Sequence, residues 1–388
     1  MEMKSEKDKL QRLADLMNEQ SETPMLVTDD LLYIFDAALE PEEVDFMLKM
    51  GGGNLSRAEV EGKVGLTPAD FERVLETLLD KGHITELEPE EEGEEPYLHV
   101  MSIFPGWFEH YLMRGADTPD RREFSRRVSG YFAAAQAIPP DMLNEILKDM
   151  SPHRSLAIAN PSSSRLIQVD EAVPPQPSEV HPSHSILNIL ERLPEDVAVS
   201  AGHCFCREQR KLDGDPCRMD LPEESCLGIG PAAEHIIRRG MGRRISKREA
   251  IELVKLAEEK GAVHQVGRMV PLKDFKVKHE ADIICNCCWD CCGVLGNYHR
   301  GNLPFMLKSY YIAEVPDEDE CTGCGICEQF CPVDAIAVGE SGVAAVDQAL
   351  CCGCGLCALH CPENAVRLRP YERNVFLPVL PPGKRRIQ

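Results

Sequence analysis

The chain has 388 residues, 43% of them hydrophobic and 28% charged, with a net charge of −23. That length accommodates two or three domains with cores of their own. Eighteen cysteines far exceed ordinary usage, yet residues 1–10 are charged and lack a signal-peptide apolar core, and no run nears the roughly twenty apolar residues of a membrane span. These limits exclude a secreted disulfide scaffold and point to a cytoplasmic protein of a reducing cell, most naturally an anaerobe.

Residues 1–100 carry 26 acidic and nine basic side chains. Pro41 opens an apolar-periodic helix through Val44, Phe46, Met47 and Leu48, closed by Gly51 to Gly53. Ser56 and Glu59 form a capping box for a second helix, and Thr67 with Pro68 start a third whose apolar face is Phe71, Val74, Leu75, Leu78 and Leu79. Strand-like segments at 83–87 and 96–100 flank an acidic tip, 88–95. Three helices and two wing strands resemble a winged helix-turn-helix. The would-be recognition helix carries Asp70, Glu72, Glu76 and Asp80 against Arg73 and Lys81, a surface that phosphates repel. The expected role is therefore protein docking or structure, with no nucleic-acid partner.

Phe104, Trp107, Phe108 and Tyr111 form an aromatic group expected in core packing or a subunit contact, followed by a basic helix with Arg121, Arg122, Arg126 and Arg127. Eight prolines between Ile138 and Ser183 mark a connector, with one hairpin expected from 156–159 and 166–169. A new unit begins near His184, where Ile186, Leu187, Ile189, Leu190 and Leu193 trace an amphipathic helix. A buried strand from Val197 then delivers His203, Cys204, Cys206 and Arg207, followed by Cys217 and Cys226. Ser246 and Glu249 make another capping box, for a helix through Ile251, Leu253, Val254 and Leu256 that ends at Gly261. Beyond it lie Cys285, Cys287, Cys288, Cys291, Cys292 and Gly293.

Nine cysteines in two loops around a helical scaffold form a candidate metal site: Cys204, Cys206, Cys217, Cys226, Cys285, Cys287, Cys288, Cys291 and Cys292. A third iron–sulfur cluster, or more than one, leads. A non-cubane or catalytic cluster is the next reading, since the paired Cys287-Cys288 and Cys291-Cys292-Gly293 are loosely similar to the CCG modules of heterodisulfide reductases, without their full spacing. Structural zinc or a dithiol pair is the third. Arg207, Arg210 and Lys211 are placed to donate to sulfur or to be solvated; His203, His264 and His299 are expected to be structural rather than ligands.

The C-terminal part repeats itself. Cys321, Cys324, Cys327 and Cys331-Pro332 are followed thirty positions on by Cys351, Cys354, Cys357 and Cys361-Pro362. Each copy has the C-x2-C-x2-C-x3-C-P spacing that binds [4Fe–4S] clusters, in which the fourth cysteine serves the other cluster. One cluster is thus assigned to Cys321, Cys324, Cys327 and Cys361, the other to Cys351, Cys354, Cys357 and Cys331. Gly323, Gly325, Gly353 and Gly355 suit backbone folded tightly around sulfur. Cys352 is expected to be a spare buried thiol. Over about 312–370, including the tails Asp334-Ala-Ile336 and Asn364-Ala-Val366, the chain resembles the bacterial 2[4Fe–4S] ferredoxins. That resemblance implies a small α+β domain with pseudo-twofold symmetry, two hairpins and two short helices around both cubes. From about 180 to 370 it is similar to longer ferredoxin-type proteins of anaerobes, in which Cys-x-Cys-Arg and Cys-Asn-Cys-Cys segments precede the two-cluster domain.

The organisation expected is α+β and multidomain. A winged-helix-like and helical docking region spans 1–137, a Pro-rich connector 138–183, a cysteine-rich α/β middle domain 184–311 and the two-cluster domain 312–370. A basic tail, 371–388, ends the chain; Arg367, Arg369, Arg373, Lys384, Arg385 and Arg386 oppose only Glu372 from Val366 onward, an asymmetry that favours oriented docking on partner subunits. No phosphate-binding glycine loop is present, since Gly51 to Gly53 lack the following Lys and Gly228 and Gly230 match one only superficially; no Ser/His/Asp nucleophile pattern stands out. Flavin or nicotinamide chemistry is left to a partner. The function expected is single-electron relay in an anaerobic redox complex, with redox proteins as partners. The alternatives are a reductase with a catalytic cluster in the middle domain and an iron–sulfur redox sensor with a winged-helix output.

Overall fold

The computed structural model describes residues 3–21, 25–87, 95–134, 137, 154–157, 186–267, 282–302, 308–309 and 311–371. The acidic tip except Glu95, the second half of the hairpin expected from the connector, and the tail beyond Tyr371 lie outside them.

Two helices not expected from the sequence, α1 (Lys7–Glu19) and α2 (Asp29–Ala38), precede α3 (Pro41–Met50), α4 (Arg57–Val64) and α5 (Pro68–Asp80). The caps are those the sequence encodes. Pro41 and Pro68 occupy first-turn positions, where a missing N–H costs nothing. The Ser56 hydroxyl accepts from Glu59 N while Glu59 Oε2 accepts from Ser56 N at 2.8 Å. Gly51 ends α3 at φ +74°. Strand β1 (Ile84–Leu87) then pairs antiparallel with β2 (Tyr97–Val100), and Leu55 bridges to Leu98 at its side. The apolar face of α5 is buried as expected.

The aromatic segment forms the heart of this half. A single π turn (Ile103–Trp107) runs into α6 (Phe108–Leu112). It places Trp107, fully buried, 4.5 Å from the His83 ring, 5.0 Å from Phe35, and 5.6 Å from Phe124 of α7 (Pro119–Ala134). The arginines of α7 are spent locally: Arg122 on Asp117, and Arg126 and Arg127 on Glu123.

The middle unit is a six-stranded sheet, β3 (Arg154–Ala157), β7 (Val263–Gly267), β8 (Ile283–Cys287), β5 (Glu224–Ile229), β4 (Val199–His203) and β6 (Gly242–Ile245), in that spatial order. Every neighbouring pair is antiparallel. This corrects the expected α/β arrangement: strands alternate with helices along the chain, but the hydrogen-bond ladder does not run parallel. Residues 154–157 of the connector pair with β7; their expected hairpin partner at 166–169 lies outside the described residues. Strand alternation sends Val199, Ala201, Leu227, Ile229 and Ile284 to a core shared with α8 (Ile186–Arg192) and α11 (Lys247–Glu259). Cys226 and Ile283 join Ile236 of α10 (Pro231–Arg238) in another cluster. Ser246 caps α11 by accepting from Glu249 N at 3.1 Å. The expected return bond is not formed, because Arg243 takes the Glu249 carboxylate at 2.8 Å.

The last unit joins the ends of its own segment, β9 (Tyr311–Glu314) against β12 (Arg367–Pro370), around an inner hairpin of β10 (Ile336–Val338) and β11 (Ala344–Val346). The resemblance implied two hairpins; one hairpin and one pair of terminal strands are found. Short helices α12 (Ile326–Phe330) and α13 (Leu356–Leu359) follow the cysteine turns. The two halves repeat each other down to backbone sign. Gly325 and Gly355 stand at φ +73° and +85°, and Asp334 and Asn364 at +52° and +54°; Asp and Asn are the non-glycine residues that best tolerate that region.

Candidate metal centres

The C-terminal cysteines surround two cavities. Cys331, Cys351, Cys354 and Cys357 line one, and Cys321, Cys324, Cys327 and Cys361 line the other. Each cavity thus takes three cysteines from one repeat and one from the other. Backbone amides turn toward the sulfurs: Ala335 N donates to Cys331 Sγ at 3.1 Å and Ala344 N to Cys321 Sγ at 3.4 Å. Burial pushes the Cys331 thiol up to about 12 and that of Cys357 well above its ordinary value. Such thiols stay protonated unless a metal displaces the proton, and four cysteines around one cavity suit a cubane. Cys324 is exposed, whereas Cys331, Cys351 and Cys357 are buried, so one cavity is outer and the other inner. Cys352 is buried at the rim of the inner cavity.

The geometry identifies a ferredoxin-like iron–sulfur domain with two clusters. The comparison with family models agrees: residues 314–337 and 344–367 each match the 4Fe-4S binding domain. No curated protein and no solved structure is similar enough to the chain to count as a match.

The middle cysteines meet at the end of the sheet. Strand β4 runs into Cys204, the N-cap of α9 (Phe205–Leu212), and β8 ends on Cys287 at the start of the turn 288–294. Cys217, Cys288 and Cys291 place their sulfurs within 4.8 Å of one another. Cys217 and Cys288 stand 3.4 Å apart, Cys288 and Cys291 2.9 Å. Hydrogen bonds from the Cys288 and Cys291 thiols hold Cys217 far below the usual thiol range. Cys292 is depressed in the same way by Cys206 and Cys287, and Cys287 also contacts Cys285. Gly293 N donates to Cys206 Sγ at 3.0 Å, and the amides of Val294 and Leu295 to Cys292 Sγ at 3.4 Å. Cys204 touches Cys206, and Cys226 lies opposite Cys285 across the β5–β8 ladder.

Of the three basic residues near the first loop, only Arg207 turns inward. It is 6% exposed, donates to Ser225 Oγ at 2.8 Å and to the Pro222 carbonyl, and leaves Nε and Nη2 buried without a hydrogen-bond partner. Burial works against its charge, but the sulfurs of Cys204, Cys291, Cys288 and Cys217 outweigh this and raise its pKa. Arg210 pairs with Asp213 and Asp215, and Lys211 with Glu223. The histidines have protein partners, as expected of structural groups: His203 meets Glu208 at 3.4 Å, His264 meets Asn286 Oδ1 at 2.6 Å, and His299 meets the Pro332 carbonyl.

Sequence reasoning passed over the groups that tie this region together. Asp290, 3% exposed, accepts from Arg218 N at 2.7 Å and pairs with Arg300 at 3.2 Å, clamping the cysteine turn; its position between the two Cys-Cys pairs was the available signal. A Cβ on Gly296 would lie 2.1 Å from the Asp290 carbonyl oxygen, so only glycine lets the turn close there. Glu258, at the end of α11, is raised by burial to about 7. Nothing in its local sequence distinguishes it from its neighbour Glu259.

Proposed function

We propose that this protein is an electron-transfer subunit of a cytoplasmic, anaerobic oxidoreductase complex, relaying single electrons between redox protein partners. Its route runs through the two C-terminal clusters and a further thiolate-bound centre in the middle domain. The ligand sets are Cys321, Cys324, Cys327 and Cys361 for the outer cluster and Cys351, Cys354, Cys357 and Cys331 for the inner one. Bound there, [4Fe–4S] clusters supply one-electron chemistry at low potential. The chain contributes burial, amide donors to sulfur and spacing.

One observation carries the reading. A single apolar cluster contains Cys327, Cys331, Cys351 and Cys357 together with Cys287 and Cys292 of the middle domain. The inner cavity and the middle thiols therefore share one dry core, the medium a relay requires. His299 and Pro332 bond across the same seam, and His360 stacks on Phe330 at 3.5 Å while donating to the Glu258 carbonyl. At the outer cavity, Asp317, Glu318, Asp319 and Glu320 are exposed beside Cys321, which favours a partner with a basic docking face.

The N-terminal helices and hairpin act, in this reading, as a winged-helix-like docking module. Its acidic groups support this: Glu76 of α5 and Glu86 of β1 are taken by Arg239 of the middle domain at 2.7 and 2.8 Å, while Asp80 of α5 pairs within the unit with Arg114 at 3.1 Å. Through Arg239, the α5 and β1 acidic groups are tied to the protein's own middle domain. Among the described residues no helix is long and apolar enough to cross a membrane.

The test is iron and acid-labile sulfide on anaerobically purified protein. Two cubanes alone give about eight of each, and a middle redox centre must raise both. Eight irons with zinc in the middle domain would replace the relay beyond the inner cluster by a structural metal, a reading that the close spacing of Cys217, Cys288 and Cys291 favours.

A further inference from the structure

The nine middle-domain cysteines do not converge on one point. The sulfurs of Cys217, Cys288 and Cys291 lie within 4.8 Å of one another and pack in one apolar cluster, whereas Cys287 and Cys292, with Cys285, belong to another, where Cys292 also interacts with Cys206. The division follows from the backbone: successive residues on extended or tightly turned chain project to opposite sides. The adjacent pairs Cys287-Cys288 and Cys291-Cys292 are therefore each split, one member per set. Cys204 stands between the sets: it touches Cys206 of the second and acts electrostatically on Cys291 of the first.

We propose that the middle domain holds two thiolate-bound iron–sulfur clusters, one ligated by Cys204, Cys217, Cys288 and Cys291 and the other by Cys206, Cys285, Cys287 and Cys292, with Cys226 a ligand of neither. This deepens the reading above and rests on it. Four protein thiolates are the full complement of a cubane, so eight thiols in two nests make two sites and leave none half-built.

Independent features mark each nest. The first faces Arg207, whose Nε and Nη2 are buried with no hydrogen-bond partner. An isolated buried guanidinium is costly, and a net-negative thiolate centre is the counter-charge that would satisfy it. The second nest has its donors from the backbone, with Gly293 N on Cys206 and the amides of Val294 and Leu295 on Cys292. Their surroundings differ too. Cys287 and Cys292 lie in the apolar cluster shared with the ferredoxin-like domain, whereas Cys288 and Cys291 pack with Leu221, Ala257 and Ala262. The second nest thus lies next to the inner cavity and the first lies beyond it.

The experiment compares full-length, anaerobically purified protein with Cys217→Ala, Cys292→Ala, the double variant and Cys226→Ala, measuring iron, sulfide and zinc per chain and low-temperature EPR of the reduced protein. Two middle clusters predict about sixteen irons in the parent, about twelve in each single variant with different EPR signals lost, and about eight in the double variant. Cys226→Ala should keep all sixteen. Retention of the two ferredoxin-type signals in the double variant shows that the chain still folds. About twelve irons in the parent, with either single variant falling to about eight, would overturn the division and leave the relay reading standing. About eight irons in the parent would overturn both, and zinc in the two nests would overturn the iron–sulfur assignment.

Discussion

Replacing Glu258 by Gln should change how stability depends on pH. Glu258 is 4% exposed at the end of α11, and its Oε1 is buried without a hydrogen-bond partner. The groups facing it are His264 at 4.0 Å, Lys255 and Glu259 on its own helix, and His360, which bonds its backbone carbonyl at 3.1 Å. His264 gives no compensating charge, because burial pushes it down to about 4. Desolvation raises the carboxyl from its ordinary 4.5 to about 7. Below pH 4.5 the folded and unfolded chains both hold the proton, and the group costs nothing. Between 4.5 and 7 only the folded chain holds it, so stability falls as pH rises, by about 1.4 kcal/mol per pH unit. Above 7 the cost is constant at about 3 kcal/mol. Glutamine cannot ionise, so the gain from Glu258→Gln should grow by about 2 kcal/mol between pH 5.5 and 8 and then level off. A buried amide with an unmet donor adds a pH-independent offset, so the slope is the quantity to read. Urea unfolding of the anaerobic holoprotein at several pH values, with Glu259→Gln as a surface control, makes the measurement. Parallel stability curves for Glu258→Gln and the parent would refute the argument.

Three further outcomes are expected. Cys331→Ser should damage the cluster of Cys351, Cys354 and Cys357 and spare that of Cys321, Cys324 and Cys327; EPR of the reduced protein shows which signal is lost, and selective loss of the other would overturn the crossed assignment. Gly296→Ala should open the turn clamped by Asp290, costing about 2 kcal/mol or more as overpacking against backbone, and should lower metal content in the middle domain while leaving the ferredoxin-type signals intact. Arg239→Ala should cost about 1 kcal/mol, because its partners Glu76 and Glu86 are partly solvated; faster hydrogen exchange in 68–87 with unchanged metal content is the expected signature.

What the sequence revealed tracks how local each signal is. The two-cluster unit was legible because its spacing rule acts within twelve residues, and the positive φ of Gly323, Gly325, Gly353 and Gly355 follows from it. The helices at 41–50, 57–64 and 68–80 were legible through their caps. The middle sheet was not, because its pairing joins residues far apart: 154–157 with 263–267, and 224–229 with 283–287. Alternating strand and helix patterns look alike whether the ladder is parallel or antiparallel, hence the mistaken α/β expectation. The nine middle cysteines were found as a set, but which thiol faces which depends on where β4 and β8 end relative to each other.

Burial gives the chain of centres a direction. Cys324 is exposed at the outer cavity, the inner cavity is lined mainly by buried sulfur, and Cys287 and Cys292 continue the same apolar cluster into the middle domain. On the far side of that domain, Arg114 and Arg239 hold the acidic face of α5, and Phe205, next to Cys204 and Cys206, packs 5.9 Å from Phe108 in the N-terminal core. The N-terminal unit therefore backs the first cysteine loop directly. Part of its acidic surplus is consumed in that packing. Movement of the N-terminal unit would act first on the 204–207 segment, where Cys204, Cys206 and Arg207 meet, and only through it on the cysteines beyond.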